Sequence, residues 1–367
     1  MLSAAELERY NRQIILQGIG LSGQEKLKNS KVLIVGAGGL GSPLALYLAA
    51  CGIGEIGIVD FDKVSLDNLQ RQIAFTCGDI GKQKTQAIKD NLLKLNPLVN
   101  IKPYNVFLDC ANALDIVKNY DIVADATDNF ATRFMLNDIC VLLSKTYIYA
   151  SIFGFSGQAS VFTKGGPCYR CMLPKPPEPE FAPNCADGGV IGAVCGIIAS
   201  IGASEIIKLA AHVGESLAGR LLMVNVLDMT FRQAQIKKDE NCSVCGKAPT
   251  ITLNNLPNYQ YFCGVQNDEI NSIGARELKE KIDKKESLQI IDIRTLAQIS
   301  LYKFPNAKII SLESIAARKD ELDPNITAVF ICQFGQRSAL AIKALKKAGY
   351  KGRMLNLKDG LKEWKKD

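Results

Sequence analysis

Short apolar runs alternate with amphipathic stretches along the first 150 residues of the chain. Val32–Val35 and Ile56–Val59 are uninterrupted apolar runs with the length and composition of buried parallel strands. A helix is predicted from Ser42, because Pro43 suits a first helical turn, where a missing N–H costs nothing. Further strands are predicted at 101–106, 121–129 and 147–151, and further helices at 85–95, 112–118 and 134–143. This alternation predicts an α/β domain with a largely parallel, Rossmann-like sheet that binds its ligands at the carboxyl ends of the strands.

The pattern changes after residue 151. An alternating strand at 157–163 indicates antiparallel pairing, and a proline-rich loop at 173–183 precedes a buried helix at about 191–211. Two more strands are predicted at 221–227 and 230–236, and a second, smaller α/β unit starts near residue 273, with strands at 288–294 and 328–332 and a helix at 339–347. The predicted organisation is a first domain at 1–246, a linker at 247–270 and a second domain at 271–367.

Composition indicates a soluble globular protein. The 367 residues are 47% hydrophobic and 22% charged, which is ordinary for such a protein. Because the net charge of +7 is spread along the chain, it is only weak evidence for nucleic-acid binding. The N-terminus lacks a signal-peptide pattern, and no stretch is predicted to be apolar for the length of a membrane span, 190–203 being too short. We therefore expect a cytoplasmic protein without nucleic-acid or membrane partners. A single histidine, His212, excludes a histidine-rich catalytic zinc site.

A glycine turn follows the first strand. Gly36, Gly38 and Gly41 form a G-x-G-x-x-G pattern, and Asp60 ends the second strand 24 residues after Gly36. Glycines let the backbone approach a phosphate, and an acid at this distance is placed to bind a ribose hydroxyl. The pattern predicts a nucleotide site, with a ligand-free strand–helix turn as the alternative.

Two Cys-x-x-Cys pairs lie far apart in the sequence, Cys168 with Cys171 and Cys242 with Cys245. Two such pairs can supply four thiolates to one tetrahedral ion, which suits structural Zn²⁺. The alternatives are unconnected buried thiols or a redox pair, which usually opens a helix, as neither pair is predicted to do.

Two other cysteines are candidates for sulfur chemistry. Cys332 ends a predicted strand and begins the loop 332–337, whose N–H groups, together with the helix that follows, favour a thiolate; Arg337 adds a positive charge. Cys185 follows the proline-rich loop, where a thiol could swing towards a bound intermediate. A buried strand-end cysteine and a packed loop cysteine are the respective alternatives.

Six motifs, in order, resemble the MoeB/ThiF group of E1-like activating enzymes over residues 5–246. They are RYNRQ at 9–13, GAGGLG at 36–41, DFD at 60–62, NLQRQ at 68–72, GKQK at 81–84 and DATDN at 125–129, and the four paired cysteines complete the set. The last hundred residues resemble a rhodanese domain through the loop 332–337 and the closing DGLKEW at 359–364.

The resemblance implies a reaction. ATP and Mg²⁺ would activate the C-terminal glycine of a small ubiquitin-like sulfur-carrier protein ending in Gly-Gly, as an acyl-adenylate. Sulfur from a cysteine desulfurase or from thiosulfate would then displace AMP and leave a thiocarboxylate. Molybdopterin, thiamin, tRNA thiolation and specialised-metabolite pathways all fit.

The resemblance also implies roles for individual residues. Asp60 would hold the ribose and Asp128 the Mg²⁺; Asn68, Arg71 and Lys84 would hold the triphosphate; Arg12 would reach the site of the second subunit in a homodimer; Cys185 would bond to the carrier or its sulfur; and Cys332 would carry a persulfide. The nucleotide site would be completed by Gly36, Gly38, Gly39, Gly41, Asp62, Gln72 and Asn129. At Gly41 we expect a side chain to block ATP before it harms the fold.

Two other functions are weighed. An NAD-dependent oxidoreductase would fit the glycine turn but needs neither Arg71 and Lys84 as a triphosphate cradle nor Asp128 as a magnesium ligand. A non-catalytic scaffold for sulfur-carrier assembly would fit departures in the second domain, where 295–307 lacks the usual acidic, aromatic and histidine residues and Gln333 replaces a basic residue.

Overall fold

The chain forms two compact units, Met1–Gly264 and Val265–Asp367. The structure is a computed structural model that describes residues 1–177, 189–259, 270–333, 335–358 and 360–364. Each unit has its own sheet and its own hydrophobic core, in agreement with the α/β pattern predicted for both parts of the chain.

The first unit is built on an eight-stranded sheet. Its strands are β1 (Lys31–Val35), β2 (Glu55–Val59), β3 (Asn100–Tyr104), β4 (Ile122–Asp125), β5 (Thr146–Phe153), β6 (Ser156–Phe162), β7 (Arg220–Asn225) and β8 (Thr230–Gln235). Its helices are α1 (Ala4–Arg9), α2 (Asn11–Ile14), α3 (Gly20–Asn29), α4 (Gly41–Cys51), α5 (Lys84–Leu95), α6 (Ala113–Val117), α7 (Phe130–Leu142), α8 (Tyr169–Met172) and α9 (Gly192–Ala211).

The strand order of this sheet is β3-β2-β1-β4-β5-β6-β7-β8. The five neighbouring strands β3, β2, β1, β4 and β5 pair in parallel. The strands from β5 to β8 pair antiparallel. The mixed, largely parallel sheet and the change of pattern after residue 151 are therefore confirmed. Since β1 lies between β2 and β4 and all three run in the same direction, the residues after these strands meet at one edge of the sheet.

Apolar clusters cover both faces of this sheet. One cluster joins residues of α4 and α9, such as Leu44 and Ile198, to the strands. The other joins residues of α7, such as Phe134 and Ile139, to the opposite face. Burial on both faces is the reason why β1 and β2 are apolar at successive positions instead of alternating.

Helix α9 corrects one expectation. It has the length that the sequence predicts for a buried helix at about 191–211, and with 20 residues it is apolar enough, by length and composition, to cross a membrane. The expectation that the apolar stretch 190–203 is too short for a span is therefore wrong. Within the structure, Val194, Ile198 and Ile206 of this helix are fully buried in the core of the first unit. A helix buried in this way is apolar around much of its circumference because it packs on protein.

The second unit has a five-stranded, all-parallel sheet in the order β11-β10-β12-β13-β9. Its strands are β9 (Ser272–Ile273), β10 (Leu288–Asp292), β11 (Lys308–Ile309), β12 (Thr327–Ile331) and β13 (Met354–Leu357). Its helices are α10 (Ala275–Asp283), α11 (Leu296–Leu301), α12 (Gln336–Lys347) and α13 (Leu361–Trp364).

The segment 247–270, for which the sequence predicts a linker, contributes side chains to the first unit. Ile251 is buried beside the paired cysteines, and Tyr259 is buried with its hydroxyl donating to Asp138 Oδ2 at 2.9 Å. These contacts tie the segment to α7, because an apolar residue and a tyrosine gain more by packing there than by standing in water.

Candidate active site

The glycine turn joins β1 to α4 at the carboxyl edge of the sheet. Gly36 has a φ of +95°, a conformation that L side chains rarely adopt, and its N–H donates to Val59 O at 2.8 Å. A Cβ at this position would lie 2.8 Å from Ala126 O. The turn is therefore held between β2 and the loop after β4, where only glycine fits.

Gly41 is needed for the turn itself. A Cβ on Gly41 would overlap the carbonyl oxygen of Gly36, so a side chain there disrupts the turn itself. The expectation that it would block the nucleotide before it harms the fold is wrong. Gly38 is the open position, since the nearest atom to a Cβ there is Gln72 Nε2 at 3.9 Å.

The acids that follow β2 are tied to the turn and to α5. Asp60 Oδ2 accepts from Ala37 N and its Oδ1 from Asp62 N, both at 2.8 Å. Asp62 Oδ2 lies 3.0 Å from the ammonium of Lys84, which is buried at the start of α5. The structure thus fixes Asp60 next to the glycine turn and brings Lys84 to the same edge of the sheet.

Arg71 and Gln72 pack beside the turn. The side-chain carbons of Arg71 would lie 3.3 Å from a Cβ on Gly39, and Arg71 Nη1 donates to Asp67 O at 3.1 Å. Asn68 and Gln72 are buried, and Gln72 Oε1 has no hydrogen-bond partner among the residues that the structure describes. A buried amide oxygen without a protein partner costs free energy unless a water molecule or a ligand donates a hydrogen bond to it.

Asp79 holds the loop that leads to Lys84, and the sequence analysis assigned it no role. It accepts from Thr76 N, Thr76 Oγ1 and Asn91 Nδ2, each at 2.9 Å, and from Lys82 Nζ at 3.0 Å. Burial raises the pKa of Asp79, but these hydrogen bonds outweigh burial and hold the pKa well below its usual range. The Thr-x-x-Asp spacing of a capping box was the available signal.

The loop after β4 is fixed by a buried ion pair. Asp125 Oδ1 accepts from Thr127 N at 2.8 Å and from Thr127 Oγ1 at 2.6 Å, while its Oδ2 accepts from Tyr147 OH at 2.6 Å. Arg133 Nε lies 3.2 Å from the same Oδ2, and Arg133 Nη2 donates to Thr127 O at 2.9 Å. Burial disfavours the charge on Arg133, but Asp125 outweighs this and raises the pKa of the guanidinium.

Asp128 and Asn129 lie at the end of this loop. Asp128 is exposed to solvent, and Asn129 caps α7 by accepting from Thr132 N at 2.8 Å. Sequence reasoning did not identify Arg133, for which the signal was a charged residue in the otherwise apolar first turns of α7.

The four paired cysteines form one cluster. Their sulfur atoms all lie within 4.8 Å of one another, with Cys168 Sγ 3.6 Å from Cys242 Sγ and Cys171 Sγ 3.4 Å from Cys245 Sγ. A tetrahedral zinc ion with bonds of about 2.3 Å holds its sulfurs about 3.8 Å apart. The cluster can therefore hold a metal ion. Cys168 is the N-cap of α8, so the expectation that neither pair opens a helix is wrong for the first pair.

The electrostatics of the cluster favour a cation. The hydrogen bond from Cys168 lowers the pKa of Cys242, while burial, followed by the hydrogen bond to Cys171, raises the pKa of Cys245. Adjacent thiolates repel one another in a buried site, and a divalent cation removes this repulsion.

A second ion pair anchors the cluster to α7. Arg170, between the first two cysteines, donates to both carboxylate oxygens of Asp138 at 2.7 Å. Tyr259 OH and Asn137 Nδ2 complete the bonds to Asp138. This network was not predicted, since the partners are distant in sequence.

In the second unit, Cys332 follows β12 and is buried. Its Sγ accepts from Gly335 N at 3.1 Å and lies 3.2 Å from Ser338 Oγ, which itself donates to Gly335 O at 3.0 Å. Arg337 Nη2 lies 3.7 Å from Glu313 Oε1. The backbone of the loop does point an N–H at the sulfur, and Ser338 is a neighbour that the sequence analysis did not assign.

The structure gives no site contacts for two of the predicted site residues, Arg12 and Cys185. Arg12 is exposed on α2. Cys185 lies outside the residues that the structure describes. Their roles stay predictions.

Family models match both units. Residues 10–244 match the ThiF family, and residues 274–367 match the rhodanese-like domain. Probable adenylyltransferase/sulfurtransferase MoeZ of Mycobacterium tuberculosis is 41% identical over 378 residues, which cover all of this chain and 94% of the relative. Adenylyltransferase and sulfurtransferase MOCS3 of Caenorhabditis briggsae is 38% identical, with coverage of 99% and 95%.

Solved structures agree with the fold of the first unit. E. coli MccB with ATP superposes with a TM-score of 0.56 at 28% identity, over 61% of this chain and 69% of that one. E. coli MccB with MccA superposes with a TM-score of 0.58 at 29% identity, over 65% and 74%. None of these proteins carries an oxidoreductase or scaffold name. The chain belongs to the ThiF family and has the adenylyltransferase/sulfurtransferase arrangement of an E1-like unit followed by a rhodanese-like domain.

Proposed function

We propose that this enzyme uses ATP to adenylate the C-terminal glycine of a ubiquitin-like sulfur-carrier protein ending in Gly-Gly, and then transfers sulfur to form a thiocarboxylate. Adenylation is assigned to residues 1–246 and sulfur transfer to residues 271–367, with 247–270 between them. The proposal rests on one observation, which is that two sites occur in the same chain. The first is the glycine turn, to which Asp60 is hydrogen-bonded, and the second is the loop that points the N–H of Gly335 at Cys332 Sγ.

The residues around the turn fit ATP. The open space at Gly38 and the unpartnered Gln72 Oε1 leave room and bonding capacity beside the turn. Asp60 would hold the ribose; Asn68, Arg71 and Lys84 would hold the triphosphate, and Gly36, Gly39 and Gly41 would keep the backbone close to it. The relative that was crystallised with ATP, MccB, has the same fold.

Asp128 would bind Mg²⁺, because an exposed carboxylate at the end of a fixed loop is the kind of oxygen ligand that Mg²⁺ takes beside phosphates. Asp62 and Asn129 lie on the same edge of the sheet and would complete the site. The ion would supply charge neutralisation at the phosphates.

Adenylation needs little proton chemistry. An oxygen of the glycine carboxylate attacks the α-phosphorus, the bond from that phosphorus to the bridging oxygen breaks, and pyrophosphate leaves. The negative charge that develops calls for fixed cations, which Arg71 and Lys84 supply. A chain with a single histidine is therefore suited to the reaction.

Cys332 would carry the sulfur as a persulfide, after receiving it from a cysteine desulfurase or from thiosulfate. The N–H of Gly335 donates to Cys332 Sγ, where it can stabilise a thiolate, and Ser338 Oγ lies 3.2 Å from the same sulfur. Arg337 would add positive charge at the loop. The outer sulfur of the persulfide would attack the acyl-adenylate and displace AMP, which leaves the carrier joined to Cys332 through a disulfide. A thiol, for which Cys185 is the candidate, would then bond to the sulfur of Cys332 and break that S–S bond, so that a new disulfide forms as the thiocarboxylate leaves.

The cysteine cluster would hold Zn²⁺. Four thiolates fill its coordination shell, so the ion would hold the segments around 168–171 and 242–245 together without an open position for substrate. The ten cysteines of the described residues are free, which fits a reducing compartment, and we place the enzyme in the cytoplasm.

A homodimer completes the proposal. Arg12 of each protomer would reach the adenylation site of the other, which gives a role to an exposed arginine at the start of the chain. The added guanidinium would lie against phosphates.

The experiment that tests the proposal is intact-mass analysis of candidate carriers incubated with the enzyme, Mg²⁺-ATP and a sulfur source. A mass gain equal to the replacement of one oxygen by sulfur identifies the carrier. If no carrier ending in Gly-Gly elicits release of pyrophosphate or AMP, the adenylation claim fails.

A further inference from the structure

A cavity of about 230 Å³ lies in the first unit, beside the cysteine cluster. Residues from the second half of α7, from the start of β5 and from the turn after β6 form its wall, and two cluster residues, Cys168 and Cys245, are part of the lining. Pockets for drug-sized ligands typically have volumes of about 300–1,000 Å³. The cavity therefore has the size for a smaller ligand.

The cavity and the proposed nucleotide site lie at opposite edges of the eight-stranded sheet. The nucleotide residues follow the carboxyl ends of β1, β2 and β4, whereas the cavity is lined by residues around the start of β5, which runs parallel to β4. Strand β6 runs antiparallel to β5, with Phe162 at its end opposite Tyr147, so the turn after β6 comes to the same edge as the start of β5. A ligand in the cavity would therefore not occupy the nucleotide site.

Three lysines line the cavity, and none of the described residues that line it is acidic. They are Lys145 before β5, Lys164 in the turn after β6 and Lys238 after β8. None of the three forms an ion pair with a carboxylate of the residues that the structure describes. Lys238 Nζ donates instead to Gly165 O at 3.1 Å, which holds the turn against the segment after β8. Because three like charges around one small cavity repel one another, an anion placed among them is stabilised.

Asn137 adds a buried hydrogen-bond donor to the cavity wall. Its side chain is fully buried, its Oδ1 accepts from Tyr169 N at 2.7 Å, and its Nδ2 donates to Asp138 Oδ1 at 3.0 Å. An amide nitrogen carries two hydrogens, so this bond leaves the second one for another acceptor. Asp138 itself is neutralised by two hydrogen bonds from Arg170, so it does not offset the charge of the lysines.

We propose that this cavity binds a small phosphate anion of the class of inorganic pyrophosphate, at a site separate from the nucleotide site. Pyrophosphate is a compact anion with several negative charges, which matches three cations around a small cavity. The ammonium groups of Lys145, Lys164 and Lys238 would neutralise it, and Asn137 would donate to one of its oxygens. The site does not depend on the proposed adenylation, although that reaction would supply pyrophosphate.

The test measures the binding of pyrophosphate to the full chain by calorimetry. A non-hydrolysable ATP analogue is present at saturation, so that the nucleotide site is filled. We expect pyrophosphate to bind under these conditions, and to bind about fivefold more weakly in Lys145→Gln and in Lys164→Gln, because each change removes one cation from the cavity. A higher salt concentration should weaken the binding further, since it screens the remaining charges.

Lys237→Gln is the matched control. Lys237 is exposed and directly precedes Lys238, but it is not part of the cavity lining, so its loss should leave the affinity for pyrophosphate unchanged. Elemental analysis of all three variants should show the same zinc content as the unchanged chain. Their thermal midpoints, compared in the same way, show whether the lysines are needed for folding.

Three outcomes overturn the inference. Pyrophosphate could fail to bind once the analogue fills the nucleotide site, or the two cavity variants could bind it as tightly as the unchanged chain. The cavity variants could also lose zinc to the same extent as they lose binding, which would make the lysines counter-ions of the thiolate cluster. The proposed function fails separately: a chain that binds pyrophosphate in this cavity but releases none with any carrier contradicts adenylation and leaves the anion site standing.

Discussion

Arg133 and Asp125 form an ion pair that is buried on both sides, with Nε of the arginine 3.2 Å from Oδ2 of the acid. The same arginine donates to Thr127 O, one residue before Asp128. The pair thus fixes the backbone that presents the proposed magnesium ligand, although neither residue lies in the exposed part of the site.

Breaking this pair should destabilise the first unit. Arg133→Leu leaves Asp125 buried without its cation, and a broken buried pair typically costs about 3–5 kcal/mol. Urea unfolding followed by circular dichroism measures the loss. Lys118→Ala, which removes an exposed ion pair with Asp115 in the same unit, is the control and should change the midpoint little. Equal stability of the two variants would contradict the anchoring role of Arg133.

The two glycines of the turn should respond differently to alanine. Gly41→Ala places a Cβ on the carbonyl oxygen of Gly36 and should lower the free energy of unfolding by about 1–3 kcal/mol or more. Gly38→Ala meets only Gln72 at 3.9 Å, so it should fold normally and raise the KM for ATP by crowding the phosphates. Thermal melting and carrier-dependent pyrophosphate exchange separate these effects. A stable Gly41→Ala variant would show that the turn can open without cost.

The contribution of Asp79 to stability should depend on pH. The pKa of Asp79 is below its ordinary value of 3.8 in the folded chain, so the stabilisation is fully present above pH 3.8 and declines as the pH falls below it. Asp79→Asn should therefore cost more free energy of unfolding at about pH 7 than at about pH 3. Urea titrations of both chains at each pH give this difference. Asp115→Asn, at an exposed carboxylate, controls for the loss of one charge, and a cost for Asp79→Asn that is independent of pH would exclude the charged form as the source.

Metal content should depend on the cysteine cluster. We expect about one zinc per chain in the purified enzyme and almost none in Cys242→Ser, because three thiolates bind the ion much more weakly than four. Elemental analysis measures the ratio. Cys77→Ser, at an exposed cysteine outside the cluster, should keep its zinc. Full zinc content in Cys242→Ser would place the ion elsewhere.

Cys332 should separate the two half-reactions. Cys332→Ala removes the sulfur that Gly335 N contacts, so persulfide formation and thiocarboxylate yield should fall to background while pyrophosphate release with the carrier continues. Alkylation followed by mass spectrometry detects the persulfide. The matched control is Cys77→Ala. An unchanged thiocarboxylate yield in Cys332→Ala with thiosulfate as donor would reduce Cys332 to a structural residue.

Local pattern was enough for most of the fold. The apolar run 32–35, the glycine turn and Pro43 predicted the β1–α4 unit closely, because buried parallel strands and helix starts have strong local signatures. The strand predicted at 121–129 ends at Asp125 instead, since the acid bonds to Thr127 and turns the chain into a loop. Helix α9 is predicted from the sequence at about 191–211, but its apolar composition does not distinguish burial against the sheet from burial in lipid, because both environments select the same residues.

The α/β class and the family can be predicted from the sequence alone, as can the glycine turn and the pairs of cysteines, because each depends on residue types at short, fixed spacing. The packing of the chain is needed to show that Gly41 serves the turn, that Asp125 and Arg133 hold the loop of Asp128, that Asp138 anchors Arg170, and that Phe61 meets Phe107. These relations join residues from different elements. They depend on packing distances and buried charge, which local patterns do not encode.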